Sequence, residues 1–142
     1  MNSSRPLRVA VIGSGPAGIY ASDLLMKSGR TVEIDLFEQM PAPFGLIRYG
    51  VAPDHPRIKG IVNSLHAVME KPNVRFLGNI EIGTTITVEK LHEYYDAIVF
   101  ATGAVADRDL GIPGENLNGS YGAADFVGFY DGNPRFHRTW NL

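Results

Sequence analysis

Arg8-Val-Ala-Val-Ile12-Gly13-Ser-Gly15-Pro-Ala-Gly18 and, fourteen residues on, Val32-Glu-Ile-Asp-Leu-Phe-Glu38 are the stretches that decide the fold. Arg8–Ile12 carries four consecutive apolar residues and suits a strand buried on both faces. Gly13–Gly18 fits G-x-G-x-x-G and reads as a tight turn. A helix is expected from Pro16 to Ser28, because Pro is tolerated in a first turn and Gly29 closes the segment. Its inward side is expected to carry Ala17, Ala21, Leu24 and Leu25. Val32–Glu38 alternates as a second strand. A β-turn-α-β unit of this length forms a right-handed crossover between parallel strands. The expected class is therefore α/β, a Rossmann-like doubly wound sheet with a parallel core and three layers.

The glycine spacing has a chemical consequence. Gly13 permits the turn, Gly15 lets a pyrophosphate approach the backbone, and Gly18 allows the helix to pack closely on the strand. The first amides of the helix, with the positive end of its dipole, favour a diphosphate. Glu38 stands twenty residues after Gly18 at the end of the second strand, where an acid accepts hydrogen bonds from a ribose 2′-hydroxyl. The same acid repels a 2′-phosphate and so disfavours NADP at this site. Spacing alone leaves FAD and NAD open, since both present an ADP half. Two features lean towards FAD. One is the apolar loop at 40–53, large enough to cover a flat ring. The other is Ala101-Thr102-Gly103 after the expected strand Asp96–Ala101, whose small residues let a cofactor pass the sheet's carboxyl edge.

Between these landmarks, residues 39–57 hold four prolines and two glycines and are expected to lack regular structure. A helix over Arg57–Lys71 is predicted from Ile58, Ile61, Val62, Leu65, Val68 and Met69 at helical spacing. Short strands at Val74–Leu77 and Thr84–Val88 follow, then a helix over Glu89–Tyr95. Beyond Ala104 the chain is rich in glycine, with one helical patch near Ala123–Phe129 and with Phe136 and Trp140 lacking an evident core. Residues 1–104 therefore read as the binding domain and 105–142 as a connecting segment.

Composition narrows the chemistry. The 142 residues include no cysteine, so thiol redox, Cys-ligated zinc and iron–sulfur ligation within this chain are excluded. A net charge of −2 gives no footprint for nucleic acid. The longest apolar run, Ala97–Ala101, is far short of the ~18 residues of a membrane span, and a cytoplasmic location is expected. His55, His66, His92 and His137 show no metal spacing, so no metal site is expected.

Gly13–Gly18, Glu38, Pro43-Phe-Gly-Leu-Ile-Arg-Tyr-Gly-Val-Ala-Pro-Asp-His-Pro56, Phe76-Leu-Gly-Asn-Ile-Glu-Ile-Gly83, Ile112-Pro-Gly-Glu115 and Asp125-Phe-Val-Gly-Phe-Tyr130 together resemble the adrenodoxin-reductase-like ferredoxin–NADP⁺ reductases. The Phe-Gly-Leu…Ala-Pro-Asp-His-Pro block is the specific part of the likeness. The resemblance implies an FAD-binding portion of an enzyme that takes a hydride from NADPH and passes electrons singly to a ferredoxin, an iron–sulfur protein. It implies a backbone contact from Ala17 to the pyrophosphate, Glu38 on the adenosine ribose, Leu46 near the flavin and Ile82 beside the adenine. Pro16, Gln39 and Gly45 join Gly13, Gly15, Gly18, Ala101, Thr102 and Gly103 as further candidate cofactor contacts. His55 matches a histidine on the nicotinamide side of the flavin, with a role in proton handling or positioning. The family's second glycine-rich unit for NADP is missing here, as is its C-terminal glycine-rich segment. The chain alone is accordingly expected to be inactive, with the remainder of the polypeptide as its missing partner. Two other readings stand beside this one: a dinucleotide-binding module that turns nothing over, and the FAD domain of an oxidoreductase like the small subunit of glutamate synthase.

Overall fold

The structure, a computed structural model, describes residues 5–104 and 106–136. His137 and Trp140 lie outside the described residues. Four strands, β1 (Leu7–Ile12), β2 (Val32–Phe37), β3 (Val74–Leu77) and β4 (Ala97–Phe100), form one sheet in the order β3-β2-β1-β4. All three pairings are parallel, with Val9 opposite Ile34 and Ala97, and Leu36 opposite Phe76. Parallel strands need crossovers, and the helices supply them: α1 (Pro16–Met26), then α2 (Leu46–Tyr49), α3 (Pro56–Lys59) and α4 (Val62–Met69), then α5 (Val88–Tyr94), with α6 (Ala123–Tyr130) after the sheet.

The pleat sorts side chains into two cores. Val9, Val11, Ile34 and Leu36 point to one face and meet Ile19 of α1 and Leu65 and Val68 of α4. Ala10, Ile12 and Phe37 point to the other and meet Leu91 of α5. Helices therefore cover both faces, giving the three layers expected of a doubly wound sheet. Asp35 lies buried on the α5 face. Burial alone would raise its carboxyl pKa, but bonds from Arg75 (2.7 and 2.6 Å) and the Tyr95 hydroxyl (2.6 Å) outweigh that and hold it below the usual range. Those bonds tie β2, β3 and the end of α5 together.

Several expectations change. The inward face of α1 is Gly18, Ile19 and Ser22, while Ala17 is exposed and Leu24 is 68% exposed. Gly18 and Ser22 are small enough for close helix–strand approach, Ile19 fills the core, and Leu25 packs partly buried against it as expected. Residues 39–57 hold one short helix, α2, and the start of another, α3. The predicted helix over 57–71 divides at Gly60-Ile61, where amides at Ile61, Asn63 and Ser64 bond three residues back. Gly is a poor helix former, and a tightened turn there lets α4 reach the core independently. Thr84–Val88 is not a strand. Its backbone turns through Thr85 N–H to Glu81 O, Ile86 makes a single bridge to Ile82, and the Thr87 hydroxyl caps α5 at the Lys90 amide. Threonine side chains compete with ladder bonds in this way. Phe136 packs against Gly128 of α6 and is half-buried.

The order β3-β2-β1-β4 matters for function. The chain leaves β1 towards β2 on one side and returns to β4 on the other, so the strand order reverses between β1 and β4. Ligands in open α/β sheets bind outside the carboxyl ends of the strands at such a point.

Candidate functional site

Gly13 leaves the carboxyl end of β1 at φ +105°, and its amide donates to Phe37 O (2.8 Å). A Cβ at this position would collide with the Ala101 carbonyl, which follows β4. A Cβ at Gly18 would collide with the Gly13 carbonyl. Both glycines are thus required by backbone approaching backbone. Gly15 differs, since a Cβ there meets nothing within 4 Å and would project into open space.

Gly15 is the N-cap of α1 and makes no side-chain cap, and the first turn holds no acidic residue. The amides of Ala17 and Gly18 have no acceptor within the helix. They form, with the helix dipole, a seat for an anion.

Glu38 is 8% exposed, and its carboxylate is already engaged. Oε2 accepts from the Ser14 amide (3.0 Å) and the Ser14 hydroxyl (2.7 Å), and Oε1 accepts from the Met40 amide (3.0 Å). A carboxylate has about four acceptor positions, so about one remains for a ligand. The acid therefore also fixes the glycine turn to the end of β2. Spacing had suggested only its outward role.

Phe44 and Gly45 both take positive φ (+88° and +48°). Positive φ is a true outlier for a bulky residue. Phe44 is held there by burial, by its amide's bond to Ser14 O (2.9 Å) and by the Arg48 guanidinium over its ring. Gly45 in consequence lies against Gly15, and Leu46 is left 62% exposed at the start of α2.

These pieces line one cleft of about 700 Å³. Gly13, Gly15, Pro16, Ala17, Glu38, Gln39, Gly45, Leu46, Ile82, Ala101, Thr102 and Gly103 all border it. Gly18 does not, being buried beneath the turn. His55 does not either: it is exposed, with Nδ1 2.7 Å from Asp54 Oδ1. Met40 and Tyr49, from the apolar loop at 40–53, also border the cleft, as do Phe100, Asn133 and Arg135, for which the sequence carried no such signal. Phe100, at the end of β4, is 59% exposed, so this strand is less buried than its apolar run suggested. Among the described residues no helix is long and apolar enough to cross a membrane, and no three potential ligands group as a metal site.

Residues 7–130 match the family described as pyridine nucleotide-disulphide oxidoreductase. The chain is 44% identical over 134 residues to the mitochondrial NADPH:adrenodoxin oxidoreductase of Arabidopsis thaliana, covering 94% of itself and 28% of that protein. It is 45% identical over 140 residues to the NADPH-ferredoxin reductase FprA of Mycobacterium tuberculosis, covering 95% of itself and 31% of the relative. The solved structure of M. tuberculosis FprA in complex with NADPH superposes with a TM-score of 0.89 at 44% identity, over 93% of this chain and 30% of that one. The chain thus spans about three-tenths of the length of these relatives.

Proposed function

The chain belongs to the pyridine nucleotide-disulphide oxidoreductase family, and from that premise we propose that it is the FAD-binding part of an enzyme carrying electrons from NADPH to a ferredoxin. The observation that carries the reading is the anion seat at the start of α1, opening into a cleft at the β1–β4 switch point. The residues present fit the cofactor. Gly15 leaves the approach to the seat clear, and the exposed side chains of Leu46 and Phe100 offer apolar surface at the same cleft. The volume lies within the range of about 300–1,000 Å³ typical of cofactor sites.

Bound FAD would supply hydride acceptance and one-electron release, chemistry that belongs to the cofactor. This chain's residues bind and orient it. The Ala17 amide would hold the diphosphate, with the positive end of the α1 dipole behind it. Glu38 would accept a hydrogen bond from a ribose hydroxyl at its remaining acceptor position. Ile82 would lie beside the adenine, and the exposed Leu46 side chain would keep water from the flavin. For His55 we propose a positioning or proton-handling role on the nicotinamide side, supported by its match to the family motif and by the contact of its Nδ1 with Asp54.

The ferredoxin-type partner and the NADPH site are proposals drawn from relatives whose names specify them. We place the NADPH site in the part of the relatives that this chain does not span, and the division between binding domain and connecting segment at 104/105. A cytoplasmic location is proposed likewise, although several relatives are named as mitochondrial. The test is direct. The purified protein should be yellow and release FAD on heating, identified by chromatography against FMN and riboflavin. A colourless protein that takes up NAD in its place overturns the reading.

A further inference from the structure

The cleft is meant, on the reading above, for a ligand carrying two phosphate charges, yet its described lining holds two carboxylates, Glu38 and Glu81, and a single cation. That cation is Arg135, which reaches the cleft from the segment after α6. Its backbone is fixed locally. The Asn133 amide bonds to Gly128 O (2.8 Å), the Arg135 amide bonds to Asn133 Oδ1 (3.0 Å), and the Phe136 amide bonds to Asn133 O (3.1 Å). Phe136 in turn packs on Gly128.

The Arg135 guanidinium donates to Gln39 Oε1. The Gln39 amide carries both donors and an acceptor, so beside a donor-only arginine it can meet a ligand's acceptors and donors alike. Gln39 directly follows Glu38, the acid proposed for the ribose. Four of the five guanidinium N–H groups also remain available. Arg135 has no carboxylate partner among the described residues.

We propose that Arg135 and Gln39 form a clamp on the adenosine-diphosphate half of the cofactor. Arg135 supplies the charge that the cleft otherwise lacks, and its planar guanidinium suits a purine face or its ring nitrogens. Gln39, which borders the cleft beside Arg135, donates to the same half. The clamp rests on the FAD reading and deepens it. It also makes the segment around 133–136 part of the binding site and not only a connection.

The test measures affinity for FAD, for ADP and for FMN in the flavin-stripped protein, with the wild type and three variants. Arg135→Met should weaken FAD and ADP alike by about tenfold or more, the loss expected for a charged hydrogen bond, and leave any weak FMN binding unchanged. Arg135→Lys should fall between. Gln39→Leu, which lies on the body of the domain, should reproduce the selective loss for FAD and ADP independently of how the 133–136 segment packs. Wild-type protein that binds FAD and ADP while Arg135→Met and Gln39→Leu bind them equally well refutes the clamp alone. Wild-type protein that takes up neither FAD nor ADP removes the cofactor reading and the clamp with it.

Discussion

Glu38→Gln separates the two duties of this acid. In the flavin-free protein its carboxylate accepts from the Ser14 amide, the Ser14 hydroxyl and the Met40 amide, at 8% exposure. Glutamine keeps the shape but replaces one oxygen with an amide NH₂. Placed at Oε1, the NH₂ faces the Met40 N–H; placed at Oε2, it faces the Ser14 N–H, although the Ser14 hydroxyl can rotate to accept. Either way one backbone donor loses its acceptor. A buried unsatisfied donor costs about 1–3 kcal/mol, and the surviving bonds weaken from charged to neutral by about 1 kcal/mol each. Removing a buried charge works the other way. The net expectation is a loss of about 2–4 kcal/mol without any cofactor, or about 8–16 °C in Tm at roughly 4 °C per kcal/mol for a domain of this size. Calorimetry of the flavin-free variant reads this directly, and a parallel FAD titration reads the ribose contact. A flavin-free Tm within about 2 °C of wild type refutes the claim that Glu38 braces the glycine turn.

The glycines should divide in the same way. Gly18→Ala drives a Cβ into the Gly13 carbonyl and should destabilise the flavin-free fold, whereas Gly15→Ala points into open space and should leave Tm unchanged while lowering FAD affinity; equal effects of both on Tm would sink the distinction. Tyr95 is pushed up to about 12, first by burial and then by its bond to Asp35. Its stabilising effect is complete below the unfolded value near 10 and is lost as pH rises through about 12. An ultraviolet titration should show one tyrosine ionising late, and that step should vanish in Tyr95→Phe. Asp96 is held down to about 2, first by the Arg5 side chain and next by the Arg8 amide. Its contribution is present above about 3.8 and lost as pH falls towards about 2. Acid unfolding of Asp96→Asn should therefore be less steep in that window; an unchanged curve removes the Arg5–Asp96 pair from the acid transition.

The β-α-β unit was legible because its signals are local. A glycine turn between an apolar run and a helix leaves few alternatives, and Val74–Leu77 was marked by apolar residues just beyond Pro72-Asn73. Gly18's place against the strand was legible from the motif, but Ser22 was not, because it is buried by backbone proximity, its hydroxyl returning to Gly18 O (2.8 Å). Thr84–Val88 has strand propensity but no neighbouring strand, and propensity without a partner yields to capping. Most of the cleft's lining follows from the motif and the family block, since those residues end strands that the topology brings side by side. The Gln39–Arg135 contact was invisible for another reason. It joins residues 96 positions apart, and no pattern in either segment refers to the other.

The glycine motif also proves to be two kinds of device under one spelling. Gly13 and Gly18 face inward, against the carbonyls of Ala101 and Gly13, and would be needed by this fold whether or not anything bound. Gly15 faces the cleft, and nothing in the fold within 4 Å would oppose a Cβ there. Glu38 is divided likewise, with about three acceptor positions spent on Ser14 and Met40 and about one left over. A site whose parts are already bonded to one another loses little freedom when it is filled, and affinity gains from what need not be ordered on binding. Such preorganisation gives no discrimination between FAD and NAD, because both present the same ADP half. Discrimination must come from residues outside the turn. Leu46 and Phe100 border the cleft beyond the ADP seat with exposed apolar side chains, and it is there that a choice between FAD and NAD has to be made.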